Sequence, residues 1–132
     1  MFWRKPTITD PELGFLTFSY GAWDTARLET PAGSLMVSVA GSKDQPNPDC
    51  LAAAKLLVRS PGAVIAEARE YVVADANACE FMSGHGDLLL DGVAFLPGDG
   101  NFEVLFGLSG WDDASLVVCF ASSRPYEVQL GD

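Results

Sequence analysis

The chain has 132 residues, of which 48% are apolar and 20% charged, and a net charge of -10; this composition fits one globular domain, residues 1–132, and excludes a disordered chain. The charge is unevenly placed: residues 1–69 hold seven basic and seven acidic side chains, whereas residues 70–132 hold eleven acids against one base, Arg124. Such a balance disfavours nucleic acid, whose phosphates need Lys and Arg, and favours cationic ligands.

Residues 13–20 alternate, with Leu16, Phe18 and Tyr20 on one side and Phe15, Thr17 and Ser19 on the other, which predicts a strand. Gly21-Ala22 marks a turn, and residues 23–29 form a second extended segment that sets Trp23, Thr25 and Arg27 opposite Ala26 and Leu28. Pro31-Ala32-Gly33 breaks it, and Leu35, Val37 and Val39 resume the alternation as the third strand of a meander.

The polar stretch 42–49 ends in helix-start chemistry. Asn47 can cap, Pro48 suits the first helical position because its missing N–H would have no partner there, and Asp49 complements the positive end of the dipole. A helix is expected over 48–59. Ser60-Pro61-Gly62 repeats the grammar and opens a second helix, with Val64, Ile65, Ala68, Tyr71 and Val72 as its inner face and Glu67, Glu70 and Asp75 off it.

After Ala78 the helical pattern dissolves into the loop Ser83-Gly84-His85-Gly86. Extended segments follow at 87–96, 102–108, 115–121 and 126–130, separated by turn chemistry at 97–101, 109–113 and 122–125. The expected fold is α+β in the order βββ-αα-ββββ: a single antiparallel, curved sheet with two helices packed on one face.

No apolar run approaches the ~20 residues of a membrane helix, and the N-terminus runs into Thr, Asp and Glu where a signal peptide would need an apolar core. Cys50, Cys79 and Cys119 form an odd, widely spaced set, so reduced structural thiols and a cytoplasmic setting are expected.

Several residue sets have the right types for chemistry but not the spacing. The only histidine, His85, has Cys79 and Asp87 near it in sequence, which are the types of a nucleophile, base and orienting acid, yet a plain loop histidine accounts for it equally. Asp112-Asp113, or Asp91 with Glu103, could pair as acid and base for hydrolysis, but a chain this acidic produces such pairs by composition alone. The acids do not follow a calcium-loop pattern, a zinc site would have to recruit carboxylates, and Gly84-His85-Gly86 precedes a strand where a phosphate fingerprint precedes a helix. No metal, cofactor or catalytic residue is therefore expected.

Asp10-Pro11-Glu12-Leu13-Gly14-Phe15-Leu16, followed by Gly21-Ala22-Trp23 and a strand opened by Gly33, resembles small bacterial domains of unknown function that begin with a D-x-x-L-G-x-L strand and a downstream Trp. The resemblance covers about the first seventy residues. In those domains a β-meander precedes a helix, and some are associated with immunity proteins of polymorphic toxin systems.

The expectation for function is a non-enzymatic binding protein whose acidic second half receives a basic protein partner, with a toxin antagonist of the immunity type as the specific form. Asp91, Asp99, Glu103, Asp112 and Asp113 would supply the charge, and Trp111, in a polar loop beside two acids, would be the anchor. The competing expectations are a domain that self-associates, as a homodimer, through Phe2-Trp3 or a sheet edge while its acids serve only solubility, and a small hydrolase built on Cys79 or His85.

Overall fold

A computed structural model describes residues 4–132; the aromatic pair Phe2-Trp3, expected to pair two copies, lies outside the described residues. The elements run β1 (Thr7–Asp10), β2 (Gly14–Ser19), β3 (Ala22–Thr25), β4 (Leu28–Thr30), β5 (Gly33–Ala40), α1 (Pro48–Arg59), α2 (Gly62–Ala74), α3 (Ala76–Met82), β6 (Leu88–Phe95), β7 (Phe102–Leu108), β8 (Trp111–Ala121) and β9 (Arg124–Gly131). All the strands join one sheet in the order β1-β2-β3-β5-β6-β7-β8-β9, and β4 pairs with the first half of β5 beside β3. The class is α+β and the sheet is mostly antiparallel. The exception is β5 with β6, which run parallel because the three helices carry the chain across between them.

The order differs from βββ-αα-ββββ in three places, each with a local cause. β1 is only four residues long and largely polar, too short for alternation to be read; it is held by Asp10, whose Oδ2 accepts the N–H groups of Glu12 at 2.8 Å and Leu13 at 2.9 Å and closes the turn into β2. The 23–29 segment is two strands, because the buried Thr25 hydroxyl accepts the Val37 N–H at 3.0 Å in place of a ladder bond and the chain leaves the sheet at Ala26-Arg27. A third helix exists because Asp75 ends α2 and at once caps α3, its Oδ2 accepting the Ala78 N–H at 2.8 Å.

The helix starts are partly as read. Asn47 Oδ1 accepts the N–H groups of Asp49 at 2.9 Å and Cys50 at 3.1 Å, and Pro48 is the first helical residue. Ser60, by contrast, caps nothing: its N–H donates to Leu57 O and closes α1, and α2 begins at Gly62.

Alternate strand residues, among them Leu16, Trp23, Val37, Val93, Val104, Phe106, Leu116 and Val118, are almost fully buried and form one cluster with Ala54, Leu57, Ile65, Ala68 and Val72 of the helices. The helices therefore cover one face of the sheet. The interleaved strand residues form the other face, which no helix covers among the described residues.

Candidate functional site

The registers place two rows of side chains side by side on this uncovered face. One runs Met36, Gly92, Leu105, Val117 and Gln129 across β5 to β9. The other runs Asp24, Ser38, Ala94, Glu103, Cys119 and Glu127 across β3 to β9. An apolar stripe thus lies next to a stripe with three carboxylates. Exposed apolar side chains surround them: Phe15, Met36 and Leu89 are 61%, 43% and 46% exposed, and Tyr126 is exposed at a bulge in β9.

Asp91 joins the acids through a second bulge. Leu90 pairs with Phe106 and Gly92 with Leu105, so Asp91 is the extra residue, and its carboxylate lies over Gly107 of β7. Beside it, a Cβ on Gly92 would come within 2.6 Å of Met36 O. The missing side chain lets β5 and β6 approach closely there, and a shallow depression of about 210 Å³ lies over the junction, with Asp24, Asp91, Met36, Ser38 and Leu105 around Gly92.

Electrostatics on the face are one-signed at its centre. The ion pairs of the described residues, Lys55–Asp10 and Arg59–Glu12, join α1 to the β1–β2 turn and leave Asp24, Asp91, Glu103 and Glu127 without a cationic partner. Two arginines reach the face at its margins. Arg27 is bound by Ser34 Oγ, Ser34 O and Leu90 O, and Arg124 stands at the turn between β8 and β9. Burial, followed by the charges of Glu103 and Glu127, pushes the Cys119 thiol above its ordinary range, and Cys119 Sγ lies 3.9 Å from Glu103 Oε2. Loss of surrounding water, then the nearby Cys119 and Glu127, raises the Tyr126 phenol. Cys119 is therefore a neutral thiol at pH 7, enclosed beneath acids.

The residues expected to bind a partner are not gathered in one place. Asp91 and Glu103 share the uncovered face, whereas Asp99 lies in the β6–β7 turn and Asp112-Asp113 follow the opposite end of β7. Seven strand residues separate those ends, a span of roughly 23 Å. Trp111 opens β8 directly after the Ser109-Gly110 turn, where a five-residue loop was expected. Its ring lies 4.7 Å, centroid to centroid, from Phe81 of α3 and 4.7 Å from His85, and it is half-buried. The tight turn is possible because Gly110 N–H donates to His85 O at 2.9 Å and leaves no room for a side chain. Cys79 and His85 have different partners, the thiol donating to Val73 O and the imidazole packing at a tilt against Trp111.

Asp24 and Met36 belong to the face and were not singled out from sequence. The signal was present in the alternation, since Asp24 lies between the inward Trp23 and Thr25, and Met36 between Leu35 and Val37. Among the described residues no group of three or more His, Cys, Asp or Glu is placed to hold a metal ion, and no helix is long and apolar enough to cross a membrane. Comparisons with protein-family models, with curated proteins and with solved structures return no match.

Proposed function

We propose that this chain is a non-enzymatic binding protein that docks a basic protein partner on the uncovered face of its sheet, as a toxin antagonist of the immunity type would. The observation that carries this reading is the pairing of a half-buried apolar stripe, edged by the exposed side chains of Phe15, Met36 and Leu89, with Asp24, Asp91, Glu103 and Glu127, none of them in an ion pair among the described residues. Apolar area supplies affinity, and unpaired charge of one sign supplies selectivity and encounter rate.

The size of the face is adequate. Eight strands lie side by side along the main path of the sheet; at a spacing of about 4.8 Å and a typical length of about 20 Å they span roughly 680 Å², near the ~800 Å² that each partner gives to a stable interface. The depression at Gly92 suits one Lys or Arg side chain, its stem against Met36 and Leu105 and its head toward Asp24 and Asp91. Asp99 and Asp112-Asp113 extend the negative field past both ends of the face and steer the approach. Two copies of the chain would present like charges to each other, so this face favours a basic partner over self-association.

The test is titration of the full chain with an amphipathic peptide of alternating Arg and Leu and with its Glu-for-Arg counterpart, at low and high salt. The basic peptide alone should bind, more weakly at high salt, and Asp91→Lys with Glu103→Lys should abolish binding. Equal binding of the acidic peptide, or indifference to the charge reversal, would overturn the reading.

A further inference from the structure

A second concavity lies at one end of the sheet, separate from the uncovered face. It is a cleft of about 430 Å³ between the first turn of α1 and the β6–β7 turn, within the size range of small-molecule sites. Its inner wall is apolar, formed by Phe95, Phe102, Cys50 and Ala53, and its polar lining includes Asp49 and Asp99. Phe102 is itself held from behind, stacked on Phe120 with ring centroids 4.4 Å apart.

Both sides of the cleft are fixed before any ligand arrives. The β6–β7 turn is tied to the β8–β9 turn by Ser122 N–H donating to Asp99 O at 3.0 Å and Ser123 N–H donating to Gly100 O at 3.1 Å. Within the turn, Asn101 Nδ2 donates to Pro97 O at 3.0 Å. At Gly100, with φ of +61°, a Cβ would lie 2.3 Å from Ser123 N, so the two turns meet backbone to backbone. Across the cleft, the Asn47 cap fixes the start of α1. A preformed cleft spares the ligand the cost of ordering it.

The lining also selects the sign of the ligand. A helix N-terminus ordinarily attracts anions, but the Asn47 side chain already takes the Asp49 and Cys50 N–H groups, and two carboxylates line the same cleft. Neither Asp49 nor Asp99 is in an ion pair among the described residues. Burial, then the charge of Asp49, keeps the Cys50 thiol neutral, so it serves as apolar wall. We infer that the cleft binds a small organic amine, with its ammonium held by Asp49 and Asp99 and its apolar body laid against Phe95, Phe102 and Ala53.

The probe is 2-phenylethylamine, titrated into the isotopically labelled full chain while backbone amide shifts are followed, with 2-phenylethanol and phenylacetate as neutral and anionic counterparts. The amine should give saturable shifts at Cys50, Gly98, Gly100 and Asn101, with a Kd of about 1 mM, the scale for a fragment of this size. The alcohol should bind about tenfold more weakly, and phenylacetate should produce no saturable shift. Asp49→Asn and Asp99→Asn should each weaken the amine several-fold. Ala53→Phe, which fills the cleft from an exposed helical position one turn after Asp49, should abolish binding. Equal binding of the alcohol, shifts confined to other residues, no saturation with the amine, or full binding by the Ala53→Phe variant would each overturn the inference.

Discussion

The Lys55 ammonium lies 2.7 Å from Asp10 Oδ1, while the other oxygen of the same carboxylate closes the turn into β2 through the N–H groups of Glu12 and Leu13. One nearly buried side chain thus fastens the first hairpin to the helical layer. Two residues on, Glu12 forms a two-point pair with Arg59, with Arg59 Nε 2.7 Å from Oε2. These pairs occupy two bases of the evenly charged half, and Arg27 and Arg69 donate to backbone carbonyls, Arg69 to Leu88 O at 3.1 Å. Among the described residues the acids of β3 and β6 to β9 on the uncovered face form no ion pair.

Asp10 should make stability depend on acid pH. Burial alone would raise its carboxyl, but the hydrogen bond from Lys55 and those from Leu13 and Glu12 outweigh burial and hold it below its ordinary value. A depressed folded value means that the contribution is complete above the unfolded value of about 3.9 and is lost as pH falls through the lower folded value. Asp10→Asn, which keeps an acceptor for the turn but loses the charge, should cost about 1–3 kcal/mol at pH 7. Urea unfolding of the two proteins should show that gap shrinking below pH 4; a gap that widens with acid would contradict the assignment.

Thr25→Val keeps the shape of a buried side chain and removes its hydroxyl. The Val37 N–H would lose its acceptor in the interior, at a cost of about 1–3 kcal/mol. Hydrogen exchange at Val37 should accelerate in the variant, with the β3 to β5 edge loosened ahead of β6 to β9.

The chemistry of individual elements explains what could be read from sequence. Leu35, Val37 and Val39 alternate cleanly because β5 is flanked on both sides and buried on one face, and Asn47-Pro48-Asp49 announces α1 through side chains that act locally. The β3 to β4 break was hidden because it depends on a hydroxyl at Thr25 meeting an amide twelve residues away. α3 was hidden because Asp75 serves as stop and start together. Glu103 was legible as outward, since Phe102, Val104 and Phe106 fix the phase of β7. Asp91 was harder, because the bulge at that residue shifts the phase of β6. Trp111 read as a loop residue because only the tertiary fold supplies Phe81 and His85 beside it.

Gly92→Ala should disturb the face while leaving the helices in place. The new methyl would meet Met36 O, part of the one parallel ladder, and overpacking of this kind costs about 1–3 kcal/mol. Thermal unfolding should register the loss, and binding of the basic peptide should weaken beyond it as the depression closes.

Trp111→Ala should detach the end of α3 from β8. The loss of its tilted ring contacts with Phe81 and His85 should cost about 2 kcal/mol, and Trp111→Phe should recover most of it. Denaturation midpoints, together with amide exchange at Gly110, distinguish this structural role from a free surface anchor, whose removal would leave both unchanged.

Titration of the labelled full chain with the basic Arg–Leu peptide, with backbone amide shifts followed residue by residue, locates the docking face. Docking on the uncovered face requires saturable, salt-sensitive shifts at Asp24, Met36, Gly92, Glu103, Leu105, Val117 and Glu127, which all lie there. Shifts centred on the outward helical residues Leu56 and Val73, or equal shifts with the acidic peptide, would contradict it.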